Sequence, residues 1–452
     1  MNVKKTIFVQ IPSYRDPQLV PTLKDMIENA ASPSRLRIVV CWQHGAEQDI
    51  QIFEAAGFDL IDTTGKEGTT VHCLRRHGAS IELIDIDYVH AKGCGWARNM
   101  AQQRYRGEDY NLQIDSHHRF SSDWDAKMMS LLELLKARSP KPLLTGYPPS
   151  FDPDTYPAGR QEFSAAMIFD AFSPTAVVRL RSVPLPPPAH GDIAFGAKFL
   201  AGGFIFSDGS FIQEVMSDPD HFFCTEEIAM SVRAFTRGYD FFHPYAPLLW
   251  HQYNNPARKV WDDQSESPAI ERVAGMTLQD RADRALGKTL TLLGLSTESG
   301  TDDLGIFGLG SQRTLRQYEQ HTGISFRLRA VRKESLTLQE PPASSSDATV
   351  EGEWEKSLIY FRSMRVHVSR TGDRPSFPAA VLVSSHSADN ARQSIRELSR
   401  PELEVLSKEG RVQYTDTLRL PLERLPVRYA VHARSSAPTD HQLSIFVEEV
   451  LA

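Results

Sequence analysis

Apolar and polar positions follow two periods along the first third of the chain. Runs such as TIFVQIP (6–12), LRIVVCW (36–42) and YNLQID (110–115) are short and largely apolar, the pattern of strands covered on both faces. IELIDI (81–86) is a weaker example, and KPLLTGY (141–147) reads as a further strand. Between them, PQLVPTLKDMIENA (17–30) and GWARNMAQQRY (95–105) carry apolar residues at helical spacing. DWDAKMMSLLELLKA, following Ser122, puts Trp124, Met128, Leu132 and Leu135 on one helix face. Strand and helix in this rhythm predict an α/β domain with a mostly parallel, Rossmann-like sheet.

The pattern then changes. Residues 151–210 are proline-rich (PLPPP, 184–188), with short strand-like pieces, AAMIFDAF and TAVVRLRSV. CTEEIAMSVRAFTRG (224–238) has the spacing of a helix ending at Gly238, YDFFHP and PLLWHQY that of strands, and a helical stretch is expected near 268–288. EPPASSSDATVEGE (340–353) has almost no apolar residue and reads as a linker. Beyond it, SMRVHVSR, FPAAVLVSS, RVQYTDTLRL, RYAVHARS and HQLSIFVEEV show period-two patterning. The expected organisation is an α/β domain over 1–335, a linker over 336–354 and a mostly β, sandwich-like domain over 355–452.

Composition narrows the function classes. The 452 residues, 41% hydrophobic and 24% charged, can fill more than one core. A net charge of −7 argues against a protein that coats nucleic acid or an anionic membrane, while leaving room for a local basic groove. No apolar run reaches eighteen residues, so no transmembrane segment is expected. Cys41, Cys73, Cys94 and Cys224 form no CxxC pair, which suggests neither a zinc ribbon nor a disulfide framework, and a reducing, cytoplasmic location is the expectation. HCLRRH (72–77) has tempting ligand spacing but no acidic cluster or HExxH beside it, and reads as a polar, solvated loop.

The chemistry concentrates where YNLQID ends, in DSHHRF. In an open α/β sheet the crevice for ligands lies beyond the carboxyl ends of the strands. Asp115 and His117, two apart in extended chain, point to one side and can share a divalent ion with water and phosphate oxygens. Oxygen with imidazole suits Mn²⁺ better than Ca²⁺, and Mg²⁺ is tolerated. The plain alternative is that Asp115 and the following serines only start the next helix. GCGWARNMA (93–101) sets glycines before a helix whose first turn holds Arg98, a phosphate-binding arrangement or simply a turn. Gly202 and Gly203 in LAGGFIFSDG allow close backbone approach or a tight bend. Glu226 and Glu227 open a helix, where the dipole favours carboxylates in any case. His251 in LLWHQY is a third ligand candidate or a satisfied core histidine.

In this order, the segments IPSYRDPQLVPTL, CGWARNMAQQRYRGEDYNLQIDSHHRF, LAGGFIFSDGSF, CTEEIAMSVRAFTRGYDFFHP, LLWHQY and GLGSQRTLRQYEQHTGI resemble GT-A glycosyltransferases. The resemblance is to the polypeptide α-N-acetylglucosaminyltransferases that include the hydroxyproline-modifying enzymes, and more distantly to the mucin-type polypeptide N-acetylgalactosaminyltransferases. It covers roughly residues 5–325. It implies that Pro12, Ser13, Tyr14 and Arg15 lie near uridine and that Arg98 contacts the nucleotide or its phosphates. Asp115, Ser116 and His117 would stand for the DxD-type metal motif, His251 for the histidine that completes coordination, and Gly202 and Gly203 for the loop beneath the sugar. Glu226 and Glu227 would face the donor sugar and the acceptor hydroxyl. An aspartate usually serves as base in inverting relatives, so Glu227 in that place implies a retaining reaction.

The expectation is therefore a Mn²⁺- or Mg²⁺-dependent enzyme moving a sugar, N-acetylglucosamine first, from UDP to a hydroxyl of a protein or glycan. The absence of an N-terminal anchor agrees with the cytoplasmic hydroxyproline-modifying branch. A nucleotidyltransferase is a competing reading, but IPSYRDPQ is not the glycine-rich basic loop such enzymes carry. A non-catalytic carbohydrate- or protein-binding module is another, and it has no use for metal-ligand candidates beside an acidic pair.

Overall fold

The protein's structure, a computed structural model, describes residues 5–66, 69–173, 177–222, 225–267, 275–296, 304–339, 351–371, 380–434 and 442–450. Contacts divide the chain into two units, Met1–Ile168 with Arg181–Tyr318, and Phe169–Leu180 with Glu319–Ala452. The division falls at 318/319 where the sequence pattern suggested 335/336, and residues 169–180 group with the second unit.

The first unit is built on a ten-stranded mixed sheet. Its centre is β1 (Ile7–Tyr14), flanked by β2 (Leu36–His44) and β6 (Tyr110–Ile114), with β5 (Ala79–Asp87) beyond β2, and all of these are parallel. Antiparallel pairs enter in the flanks, although one flank pair stays parallel. β4 (Thr69–Arg76) and β3 (Asp59–Lys66) extend one edge. On the other side β12 (Phe204–Asp208) lies between β6 and β8 (Pro142–Thr145), antiparallel to both, followed by β13 (Asp240–Pro244) and β11 (Ala194–Ala197).

Alternation along β1 explains why both faces are covered. Ile7, Val9 and Ile11 enter a core shared with Leu19, Leu23 and Met26 of α1 (Leu19–Glu28) and with Trp124, Met128 and Leu132 of α4 (Trp124–Leu135). Phe8 points the other way, onto Ala101 of α3 (Cys94–Gln102) and Ile212. The chain leaves β1 for β2 on one side and later places β6 on the other, so a topological switch point lies between the carboxyl ends of β1 and β6. Those ends carry Tyr14 and Asp115.

HCLRRH is not a loop. Residues 72–76 lie in β4, where His72 is buried with its Nε2 3.0 Å from Asp85 Oδ2. His77 (φ 47°) and Gly78 (φ 86°) then make the two-residue turn into β5. The strand lies near the sheet edge, so its outward positions are polar and dilute the apolar pattern. The end of the expected linker also differs, because Glu351–Lys356 is helical, while residues 340–350 lie outside the described residues. Of the helix expected near 268–288, residues 268–274 lie outside the described residues, and the observed helix is Leu278–Leu292, capped by Thr277.

The second unit is mostly β, as expected. Its long strand β17 (Leu358–Thr371) pairs antiparallel with β16 (Ala330–Arg332), β20 (Arg411–Pro421) and β22 (Gln442–Glu449). A second sheet holds β18 (Ala380–His386) between β19 (Arg392–Glu397) and β21 (Arg428–Arg434). Val366 and Val368 meet Val381 and Val383 in the core between them, closed by Leu403 and Leu406 of the helix Arg400–Glu409. Among the described residues no helix is long and apolar enough to cross a membrane.

Candidate active site

Strand pairing, more than proximity in sequence, assembles the site. Asp115 follows β6, and the antiparallel register Phe204↔Ile114 carries Gly203 alongside it. A Cβ on Gly203 would sit 2.6 Å from Asp115 Oδ2, and one on Gly202 would sit 2.7 Å from Glu226 Oε1, so the two glycines, which form the turn between Ala201 and Phe204, also allow close approach. Gln113 fixes the loop by donating to the Gly202 carbonyl at 2.8 Å. His251 arrives on β14 (Leu249–His251), which pairs with β7 (His118–Phe120) in the register His251↔His118.

Asp115, His117 and His251 converge, with one ligand atom from each lying within 4.8 Å of the others. His251 Nε2 is 3.4 Å from Asp115 Oδ2, a spacing two ligands of one ion adopt. His117 uses Nδ1 toward Asp16 at 2.6 Å, which leaves Nε2 for an ion. His251 Nδ1 is buried and has no hydrogen-bond partner among the described residues. One carboxylate with two imidazoles is a set that fits Mn²⁺ and accepts Mg²⁺. Burial alone would raise the Asp115 carboxyl. The hydrogen bond to His251 and the Arg98 charge outweigh it and hold the group well below the usual carboxylate range. Burial keeps His251 and, more strongly, His118 below the ordinary histidine value, so both rings are neutral and able to offer a lone pair.

Arg98 is 2% exposed and lies beneath the site. Its Nη2 donates to Asp115 Oδ1 at 3.0 Å and its Nη1 to Glu226 Oε1 at 2.8 Å. Glu226 and Glu227 open α6, Glu226–Thr236. Glu227 Oε1 accepts from the Gly202 amide at 2.8 Å, and Oε2 from the Tyr147 hydroxyl at 2.6 Å. Burial pushes the Glu227 carboxyl up to about 7, against the lowering effect of those two hydrogen bonds.

A cavity of about 150 Å³ opens beside the cluster. Pro12, Tyr14, Asp115, Ser116 and His117 line it, as do Arg258 and Lys259 from the start of α7, Val260–Glu266. The structure separates the other members of IPSYRD. Ser13 is buried with no partner for its hydroxyl among the described residues, and Arg15, at φ 46°, turns to Asp263 (3.1 Å) and Glu47 (3.2 Å). Asp263 also accepts from the Tyr14 hydroxyl at 2.8 Å and pairs with Arg258, tying α7 to the end of β1. Ser116 donates its hydroxyl to Asp16, 2.6 Å away, which lines the same cavity.

Residues that the sequence pattern did not single out complete the arrangement. Asp16 and Asn255 meet at His117, Tyr147 holds Glu227, and among the described residues the Lys259 ammonium has the Asn255 carbonyl, at 3.5 Å, as its partner. Asp16 had a readable signal, being an acid directly after the first strand. Tyr147 closes the strand-like run KPLLTGY, but nothing in the pattern links it to Glu227.

The structure is similar to GalNAc-T7 crystallised with UDP, GalNAc and Mn²⁺, at 14% identity and a TM-score of 0.44, over 71% of this chain and 57% of that one. The chain thus spans little more than half of that protein's length. Staphylococcus aureus TarS 1–349 with UDP-GlcNAc follows at 11% identity and TM-score 0.36, over 66% and 75% of the two chains. The Pyrobaculum calidifontis mannosyltransferase PcManGT, with GDP-Man and Mn²⁺, is 10% identical with TM-score 0.35, over 67% and 79%. No individual curated protein matches the sequence significantly. The assignment comes instead from the Glycosyltransferase (GlcNAc) family pattern, which matches residues 6–328 and so spans both the sheet and every residue of the site. With well over half of its length matched, the chain belongs to the Glycosyltransferase (GlcNAc) family.

Proposed function

We propose that the protein transfers N-acetylglucosamine from UDP-GlcNAc to a hydroxyl of a protein or glycan acceptor, with retention at the anomeric carbon and dependence on Mn²⁺ or Mg²⁺. The observation that carries this is the convergence of Asp115, His117 and His251 at a cavity also lined by Pro12 and Tyr14. Asp115, His117 and His251 would hold the ion, which supplies charge that stabilises the diphosphate as it leaves. Pro12 and Tyr14 contact the nucleotide, while Ser13 and Arg15 support that wall from behind. Lys259, which no carboxylate engages among the described residues, faces the diphosphate, and Arg258 lines the same wall.

Arg98 keeps Asp115 ionised and fixes Glu226 below the sugar. Gly202 and Gly203 let backbone lie directly under the donor. Glu227, oriented by Tyr147 and the Gly202 amide, faces the sugar and the acceptor hydroxyl. The acceptor oxygen attacks the anomeric carbon from the side UDP leaves. The new C–O bond forms as the bond to the β-phosphate oxygen breaks, and the acceptor proton passes to that departing oxygen. A base on the opposite face is not required.

Slow donor hydrolysis tests the reading without knowledge of the acceptor. UDP release is compared for UDP-GlcNAc, UDP-GalNAc and UDP-glucose, and the anomer first formed is followed by proton NMR. UDP-GlcNAc should be used fastest and give the α anomer. Preference for another sugar, or a β first product, overturns the corresponding part.

A further inference from the structure

The metal-binding cluster has a supporting residue that comes from the far side of the switch point. Asp16 follows β1 and is only 7% exposed. Its two oxygens are divided between two tasks. Oδ1 accepts from the Gln18 amide at 2.8 Å and starts α1. Oδ2 receives three groups from elsewhere in the chain: Ser116 Oγ at 2.6 Å, His117 Nδ1 at 2.6 Å and Asn255 Nδ2 at 3.0 Å. A helix start uses one oxygen and gives no reason for this gathering on the other.

We infer that Asp16 is a positioning residue for the metal: it holds His117 with Nδ1 protonated, so that Nε2 faces Asp115 and His251. A neutral imidazole exchanges its proton between two nitrogens, and only the partner of one fixes which is free to ligate. Asp16, ionised, accepts only, so the nitrogen 2.6 Å from it carries the hydrogen. Asn255 Nδ2 lies 3.0 Å from both Asp16 Oδ2 and the same Nδ1. As a donor it could bond the ring only if Nδ1 were bare, but the shorter 2.6 Å contact to Asp16 favours Nδ1–H, and Asn255 then donates to the carboxylate. Ser116, between the two ligands in sequence, points its hydroxyl to the same oxygen and sets the chain so that Asp115 and His117 share a side. Asp16 thereby couples the strand end that lines the nucleotide cavity to the ion. The inference rests on the metal reading of the cluster.

The test is Mn²⁺ binding to the full chain, read by the loss of the free-ion EPR signal and by the nitrogen modulation of the bound ion in pulsed EPR. Wild type should bind Mn²⁺ with modulation from two imidazoles. Asp16→Asn should bind about 10- to 100-fold more weakly and lose one imidazole contribution. Asp16→Glu should recover part of the affinity. Equal affinity and unchanged modulation in Asp16→Asn overturn the inference. A wild type that binds no Mn²⁺ overturns instead the metal reading on which it stands.

Nitrogen-15 NMR of metal-free wild type, with His117 identified by its loss in His117→Gln, supplies a reading that does not depend on the Asp16 variant folding. His117 should be the Nδ1–H tautomer. The Nε2–H tautomer would overturn the inference.

Discussion

Glu227→Gln isolates the consequence of burying the second acid of α6. The carboxyl titrates near 7 in the folded protein against an ordinary value of 4.5, chiefly because burial penalises its charge. That separation corresponds to on the order of 3 kcal/mol. The folded value lies above the unfolded one, so the folded state binds the proton more tightly. Stability from this group is therefore complete below about pH 4.5, declines as pH rises through the interval, and is fully lost above about 7. Glutamine has nearly the same shape and no charge, and its carbonyl can still accept from the Gly202 amide. Its NH₂ meets the Tyr147 hydroxyl, which then accepts instead of donating. At pH 5 the variant and wild type should melt at similar temperatures. At pH 8 the variant should melt several degrees higher, as expected for a few kcal/mol in a domain of this size. Transfer activity should fall even though stability rises, because the group orienting the acceptor has changed. The assay is a thermal scan of both proteins at the two pH values. A melting difference that is the same at both would refute the claim that Glu227 is buried at a charge cost.

Other substitutions test other contacts. Gly203→Ala forces a methyl to within 2.6 Å of Asp115 Oδ2, so the carboxylate must shift, and Mn²⁺ affinity measured by calorimetry should fall at least about 10-fold. Arg98→Met strands the Asp115 and Glu226 carboxylates in a buried setting and should cost about 3–5 kcal/mol in urea unfolding at neutral pH. Lys259→Met should leave Mn²⁺ binding unchanged and weaken UDP binding, which fluorescence titration in the presence of Mn²⁺ would register.

Much of this arrangement was legible before the fold was known, for physical reasons that differ from residue to residue. The central strands are covered on both faces, so TIFVQIP and LRIVVCW had to be largely apolar, and their ends marked the crevice. Asp115 and His117 stood out because the chemistry of their side chains has little use at the end of an apolar strand, whereas His251 could equally be a core histidine and was singled out by the resemblance. What sequence hides is pairing. The order of strands, with β12 inserted antiparallel beside β6, is what lays Gly203 against Asp115, and no local pattern announces it. β4 escaped because an edge region tolerates polar outward positions, so His72 and Arg75 read as solvated. The helix Arg400–Glu409 lay within a tail of strand patterns, although Ser399 and Glu402 form a capping box. Arg98 was expected to contact the nucleotide or its phosphates, while its buried contacts to Asp115 and Glu226, which depend on α3 packing against β1, could not be read from the sequence.

The most direct test of the central claim is release of UDP from UDP-GlcNAc by purified wild type, Asp115→Ala and His251→Ala, each with Mn²⁺ or with EDTA. Turnover by wild type with Mn²⁺, abolished by the chelator and by either substitution in a folded protein, is the predicted result. Undiminished release in EDTA, or in both variants, would contradict it.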